Sequence, residues 1–436
     1  MKRWIRASCP AQRASCKNQG FLHRRPAPCG GGARCAGIRL LISRGCLSRV
    51  NPCDACVAPL CLGARSVPTD GELIVRQSAL LDPGSNTAHL RWLLLSAIIN
   101  PRKVLPRRPF PAKAVTITKR LTDQMRLPAF GAPLFIISTP ELVIAQCKAG
   151  MVGAFPALNA RPSGTLDQWL TRIRKELHDH DQAHPQGRSA PFAVNLIVHR
   201  SNTRLQEDLE VCVAHRVPIV ITSLGAQEAV NQAVHSYGGV VFHDVINNRF
   251  ARKAIEKGAD GLIAVAAGAG GHAGTLSPFA LVQDIRAWFA GPLALSGAIA
   301  TGQSLLAAQV MGADFGYIGS AFIATEEANA SAAYKECIVA ADAADIVYTN
   351  LFTGVSGNYL RQSIVAAGLD PDNLPESDPS KMNFSSGGSS AAKAWRDIWG
   401  SGQGIGVIKE IVSTADLVGR LTQQYAAARR TLIAGT

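Results

Sequence analysis

Between residues 261 and 275 the chain reads Gly-Leu-Ile-Ala-Val-Ala-Ala-Gly-Ala-Gly-Gly-His-Ala-Gly-Thr. A short apolar run, the pattern of a buried strand, breaks into Gly268, Gly270, Gly271 and Gly274, with His272 among them. Glycines let backbone N–H groups approach a ligand closely and adopt conformations that other residues avoid. A histidine held just past a strand end handles protons near neutral pH. His272 is therefore the candidate catalytic residue. Taken alone, the motif also fits a glycine-rich turn with a surface histidine.

Two later stretches have the same texture. Ser296-Gly-Ala-Ile-Ala-Thr-Gly302 follows one apolar run and Gly319-Ser-Ala-Phe-Ile-Ala-Thr325 interrupts the next. Gly297, Ala298 and Gly302 can present backbone N–H groups, and a helix start beyond them favours an anion. Gly319, Ser320 and Thr325 add N–H and hydroxyl donors. Together with Gly270 and Gly271 these loops predict a phosphate-binding site. Other histidines weigh less. His199 and His243 fall at strand ends and could line the mouth of a site, whereas His178, His180 and His184 sit in a polar segment that reads as a solvated loop. Cys53 and Cys56 have the spacing of zinc ligands, but no second pair follows at a regular distance. No metal site is predicted.

Elements must hold these loops together. Apolar runs at 128–137, 152–159, 192–198, 219–225, 239–245, 261–268, 293–299 and 315–324 read as eight strands. Helical patterns lie between them, at 140–149, 165–178, 202–215, 226–237, 249–257, 278–290 and 301–311. Strands alternating with helices mean a parallel sheet with helices outside. Eight such units suit an α/β fold, the closed (β/α)8 or TIM barrel, whose site is built by loops at the C-terminal strand ends. A doubly wound sheet is the alternative, but its glycine fingerprint follows the first strand, not the sixth. Asn195 on the third strand and Ala132, Pro133 and Leu134 after the first then join the same end. Beyond residue 325 come a helix (326–344), a strand-and-turn stretch (345–358), a helix (361–368), a Pro/Ser/Gly-rich loop (371–390), a helix (391–399), a glycine-rich loop (400–406) and a closing helix. The expected division is a basic extension at 1–113, a barrel at 120–325, an appended α+β subdomain at 326–410 and a closing helix at 411–436.

The net charge of +14 is concentrated at one end. Residues 1–113 hold 19 Lys and Arg against 4 Asp and Glu, which leaves 26 against 27 in the remainder. A near-neutral body argues against nucleic acid as a partner. Eight of the 11 cysteines lie in the first 61 residues, and the other three show no pairing pattern. The body thus reads as a reducing-compartment, cytoplasmic protein. The extension is expected to be disordered, and a translation start upstream of the natural one would account for it. The apolar stretch 90–100 carries Arg91 and is too short to span a bilayer, so no stable membrane insertion is expected.

The set Ala132-Pro-Leu134, Asn195-Leu196, Ala269-Gly-Gly-His-Ala-Gly274, Ser296-Gly-Ala-Ile-Ala-Thr-Gly302 and Ile318-Gly-Ser-Ala-Phe-Ile-Ala-Thr325 resembles the nitronate monooxygenase (2-nitropropane dioxygenase-like) flavoproteins. Lys393-Ala-Trp-Arg-Asp-Ile-Trp-Gly-Ser-Gly-Gln-Gly404 resembles a branch that includes bacterial NADH:quinone reductases. The resemblance spans residues 120–430 and implies non-covalently bound FMN. Its phosphate would meet Ser296, Gly297, Ala298, Gly319 and Ser320, with Thr325 nearby. Ala132, Pro133, Leu134, Asn195, Gly270 and Gly271 would line the isoalloxazine, and Gln403 would lie close by. Leu134 stands where the family often has Met, a volume-conserving swap. His272 would deprotonate or orient a small-molecule substrate. Three activities are compatible with the resemblance and the loops. One is oxidation of alkyl nitronates with O2. The second is NADH:quinone reduction on the same barrel, with NADH as co-substrate. The third is a non-redox barrel that binds a phosphate ligand.

Overall fold

The computed structural model describes residues 112–162, 164–377 and 397–435. The expectations for residues 1–111, for most of the loop over 371–390 and for the start of the helix over 391–399 lie outside them.

Eight strands run in parallel: β1 (Ala129–Gly131), β2 (Gly153–Pro156), β3 (Phe192–Ile197), β4 (Ile219–Ser223), β5 (Val240–Val245), β6 (Gly261–Val265), β8 (Leu293–Ser296) and β9 (Phe315–Ile318). Their order, β1-β9-β8-β6-β5-β4-β3-β2, brings the two ends of the sheet together. Phe130 and Val152 form a parallel bridge, and the Gly131 N–H donates to the Val152 carbonyl at 2.7 Å. The sheet is thereby closed into the barrel the sequence predicts.

The core forms two layers because every strand is buried on both faces. Inside, Phe130, Phe242 and Phe315 pack tilted or edge-on at 5.2 to 6.4 Å between ring centroids. Losing one such ring costs about 3–5 kcal/mol in comparable cores. Helix α1 (Ala112–Thr122) sends Ile117 and Leu121 into this interior cluster. No helix is expected here from the sequence pattern. Outside, helices cover the sheet: α2 (Pro140–Lys148), α3 (Thr165–Ala183), α4 (Leu205–Ala214), α5 (Glu228–His235), α6 (Asn248–Glu256), α7 (Pro278–Arg286) and α8 (Gly302–Met311).

The eighth strand is shorter than the apolar run suggests. It ends at Ile318, and Ser320–Ile323 form a short helix, α9. Both are buried, so apolarity alone could not separate them. After it come α10 (Ala332–Ala340), β10 (Ile346–Thr349), β11 (Gly357–Leu360) and α11 (Arg361–Ala366). One more strand, β7, consists of Gly271 and His272. Strands β10, β11 and β7 make an antiparallel sheet in that order. The histidine loop of the barrel is thus the edge of a second sheet. The final helix, α12 (Thr414–Ala434), returns to α8. There Gly302 has no room for a Cβ against the α12 backbone.

Candidate active site

Successive residues of a strand face opposite sides, so the inward positions stack into rings. Above the phenylalanines the ring is Ala132, Pro156, Asn195, Ser223, Asp244, Val265, Ser296 and Tyr317, all of which line a cavity of about 810 Å³ at the C-terminal strand ends. That size falls in the range of small-molecule and cofactor sites.

Most residues named from sequence meet here. Ala132, Pro133, Leu134, Asn195, Gly270, Gly271, His272, Ser296, Gly297, Ala298, Gly319 and Ser320 all line the cavity. Thr325 does not. It is fully buried, and its hydroxyl donates to the Phe322 carbonyl at 2.8 Å. Gln403 lies just outside, with its backbone N–H on the Gly268 carbonyl at 2.9 Å, while its neighbours Gly402 and Gly404 form the wall. The expected N–H groups of Ala298 and Gly302 are committed, to the Gly268 carbonyl at 3.3 Å and to Gln424 Oε1 at 2.9 Å. Gly302 serves helix packing rather than an anion. Ser320 Oγ accepts from the Gly402 N–H at 2.8 Å, which leaves its proton available for a ligand.

The glycine loop is pinned from both sides. Its Gly268 carbonyl receives two N–H groups, and its Ala269 carbonyl receives the Asn358 side chain at 2.7 Å. A Cβ at Gly270 would lie 2.8 Å from the Gly402 nitrogen, and one at Gly402 would lie 2.5 Å from the Gly268 oxygen. Segments 268–271 and 400–404 can pack this closely only because positions 270 and 402 are glycine. At Gly271 (φ 64°) a Cβ would meet nothing within 4 Å, so this residue leaves space open to a ligand. In the same wall Tyr334 stacks on Trp399 at 4.8 Å and donates to the Gly400 carbonyl at 2.6 Å.

Three non-glycine residues of the cavity wall adopt left-handed backbone: Ile136 (φ 68°), Leu224 (φ 60°) and Ala298 (φ 55°). Such conformations cost of order 1–3 kcal/mol and persist only where the surroundings fix them. For Ile136 the fixing groups are visible. Asn159 accepts its N–H at 2.9 Å and donates to the carbonyls of Leu134 and Ser138 at 2.9 and 2.8 Å. Asn329 donates to the Ile136 carbonyl at 3.1 Å.

His272 Nε2 lies 2.9 Å from Thr353 Oγ1. The Thr353 hydroxyl donates to the Val355 carbonyl at 3.0 Å, so its oxygen accepts Nε2–H. That assigns the basic lone pair to Nδ1. Burial pushes the imidazole down to about 4, so it is neutral at physiological pH. His243 also reaches the cavity, but it is hydrogen-bonded to Thr222 Oγ1 at 2.6 Å, and burial lowers it to about 4. His199 faces Ser201 at 2.8 Å and is absent from the wall. His180 and His184 stack at 4.4 Å at the end of α3. Arg361 is held by both carboxylate oxygens of Asp372 at 2.8 Å.

Sequence reasoning missed Asp244, Asn159 and Asn358. An acid inside the buried run Val240–Val245 was the available signal for the first. The other two act through partners distant in sequence.

A closed barrel with a glycine-walled cavity and a neutral histidine at its C-terminal mouth has the layout of an enzyme active site. The nitronate monooxygenase family profile matches residues 119–424, and the chain belongs to that family, an oxidoreductase family. A nitronate monooxygenase of Pseudomonas aeruginosa is 29% identical over 281 residues, 56% of this chain and 80% of that one. A protein named for monooxygenase activity in Mycobacterium tuberculosis is 30% identical over 193 residues, and the match spans 43% of this chain and half of that one. The nitroalkane oxidase of Streptomyces ansochromogenes superposes with a TM-score of 0.60 at 23% identity, over 71% of this chain and 99% of that one, which shows the shared fold. Among the described residues no helix is long and apolar enough to cross a membrane.

Proposed function

We propose that this chain is an FMN-dependent nitronate monooxygenase that oxidises small alkyl nitronates. The residues present fit the cofactor. The cavity has the volume, Gly271 leaves open the space a side chain would fill, and Gly297, Gly319 and Ser320 gather small groups and a hydroxyl where a phosphate would be held. Asn195 and Ala132 line the same cavity and in this reading would face the planar ring. When bound, FMN supplies the electron acceptor for the substrate and the site of reaction with O2.

The chain's own contribution centres on His272. Its neutral imidazole, oriented by Thr353, can take the proton of the carbon next to a nitro group. An imidazolium formed beside the resulting anion is paired in a poorly hydrated site, which offsets the cost of charging a buried ring. The cavity wall is mostly apolar and glycine-lined, so it suits a small substrate.

The observation that carries this reading is that one cavity holds both the glycine loops and a neutral, oriented His272. Replacing His272 by Asn should cut turnover of neutral nitroalkanes by about 10²–10⁴-fold and that of preformed nitronates far less. Equal losses on both would remove the base role. Trp399 and Gly400, from the segment resembling NADH:quinone reductases, also line the cavity, and this supports a second reading with NADH as electron donor. An anaerobic absorbance spectrum separates the two. Flavin that bleaches within seconds of adding NADH favours the reductase, whereas flavin that ignores NADH and responds to a nitronate favours the monooxygenase. Protein that binds no FMN at all would contradict both.

A further inference from the structure

The cavity floor is polar on one side. Asn195, Ser223 and Asp244 follow one another on β3, β4 and β5, facing Ser296 and Tyr317 across the mouth. The direction of their hydrogen bonds is set at one end. The Ile221 carbonyl can only accept, so the Asn195 amide nitrogen is the atom facing it, at 3.2 Å. The same nitrogen donates to Ser223 Oγ at 2.7 Å, which uses both amide hydrogens. The Ser223 hydroxyl then donates to Asp244 Oδ2 at 2.5 Å. Asp244 Oδ1 is shut off from solvent and has no hydrogen-bond partner. A carboxylate there is a buried charge satisfied on one oxygen only, which is costly. Burial accordingly raises this carboxyl to about 6, with the Ser223 bond acting in the opposite direction.

The surrounding charges do not offset that cost. Tyr317 of β9 is a neutral phenol pushed further up by burial and by Asp244 itself. His272 on β7 is neutral, and His243 is turned to Thr222. Arg161 and Lys253 line the cavity too, but both are exposed at its rim. Among the described residues, the floor holds no cation to balance a ring that gains negative charge.

We propose that Asp244 takes up a proton from solvent when FMN in this cavity is reduced. The inference rests on the FMN reading of the site. Two electrons from the reductant (NADH, or dithionite in the test) and one proton, delivered with the hydride of NADH or drawn from solvent with dithionite, enter the ring, which keeps one negative charge. A further proton on Asp244 keeps the net charge of the site unchanged on reduction, and reoxidation returns that proton to solvent. Asp244 is a positioning residue as well, since it anchors Ser223 and hence the Asn195 amide.

The test is the midpoint potential of the FMN-loaded full chain between about pH 5 and 9, in the wild type and in Asp244→Asn, which mimics the neutral acid at every pH. Once Asp244 is ionised in the oxidised protein, the wild type should lose a further tenfold in the reduced-to-oxidised ratio per pH unit, ~30 mV for a two-electron couple. Asp244→Asn should lack that component. The FMN phosphate also titrates near 6, but equally in both proteins. Potentials that run parallel would overturn the proposal, as would loss of FMN by a folded Asp244→Asn chain. Ser223→Ala, which removes the bond favouring the ionised form, should move the break to higher pH. An unmoved break counts against the proposal, and this variant decides it if Asp244→Asn does not fold. Failure of the wild type to bind FMN would instead refute the cofactor reading.

Discussion

Asp244 should destabilise the FMN-free chain, by an amount that depends on pH. Its carboxyl titrates at about 6 in the fold, against an ordinary value of 3.8. Below both values the acid is neutral folded or unfolded, and it costs nothing by this route. As pH rises past the unfolded value, only the unfolded chain releases the proton, so the folded state loses ground. The loss grows up to the folded value and then levels off. Two pH units correspond to roughly 3 kcal/mol at 1.36 kcal/mol per unit. Asp244→Asn removes this linkage while keeping an acceptor for Ser223. Relative to the wild type it should therefore gain up to ~3 kcal/mol between about pH 4 and pH 8. His243 and His272, both lowered by burial, act in the opposite sense, losing stability as pH falls below their unfolded values. They do so in both proteins and cancel in the difference. Denaturant unfolding of both FMN-free chains across this pH range gives the result. A difference independent of pH would refute the raised titration assigned to Asp244.

Two further outcomes follow from the cavity walls. Gly270→Ala places a methyl against the 400–404 segment and should weaken FMN binding more than tenfold, read by quenching of flavin fluorescence; unchanged affinity would show that the two segments part freely. Asn159→Ala removes three hydrogen bonds from the loop after β1 and should cost about 1–3 kcal/mol in denaturant unfolding, with the loop becoming protease-sensitive around the strained Ile136.

The barrel was legible because parallel strands buried on both faces must be written as apolar runs. The runs read at 192–198, 219–225 and 261–268 begin where the strands Phe192–Ile197, Ile219–Ser223 and Gly261–Val265 begin and overrun their ends by one to three residues. Strand ends were less legible. The run through Phe315 continues into α9 with no change in apolarity. The glycine loops stood out by composition, which accounts for eight of the twelve named residues that meet in one cavity; Ala132, Pro133, Leu134 and Asn195 came from their strand positions and the family resemblance. Thr325 and Gly302 shared that composition, yet their surroundings are helix packing and a local carbonyl. Strand β7 had no sequence signature of its own, since its pairing depends on Gly357 and Asn358. Asp244 was hidden by its neighbours, an acid within an otherwise apolar strand.

That pairing gives the enzyme a conditional assembly. His272 is carried by the barrel chain but aligned by β11 and by Thr353, more than eighty residues later in sequence. A fluctuation that peels the small sheet away would leave the barrel, its hydrophobic layers and most of its cofactor-facing wall intact, while the imidazole lost its orientation. Flavin content and turnover would then report on different units of the same molecule. Under mild denaturant, colour should outlast catalysis.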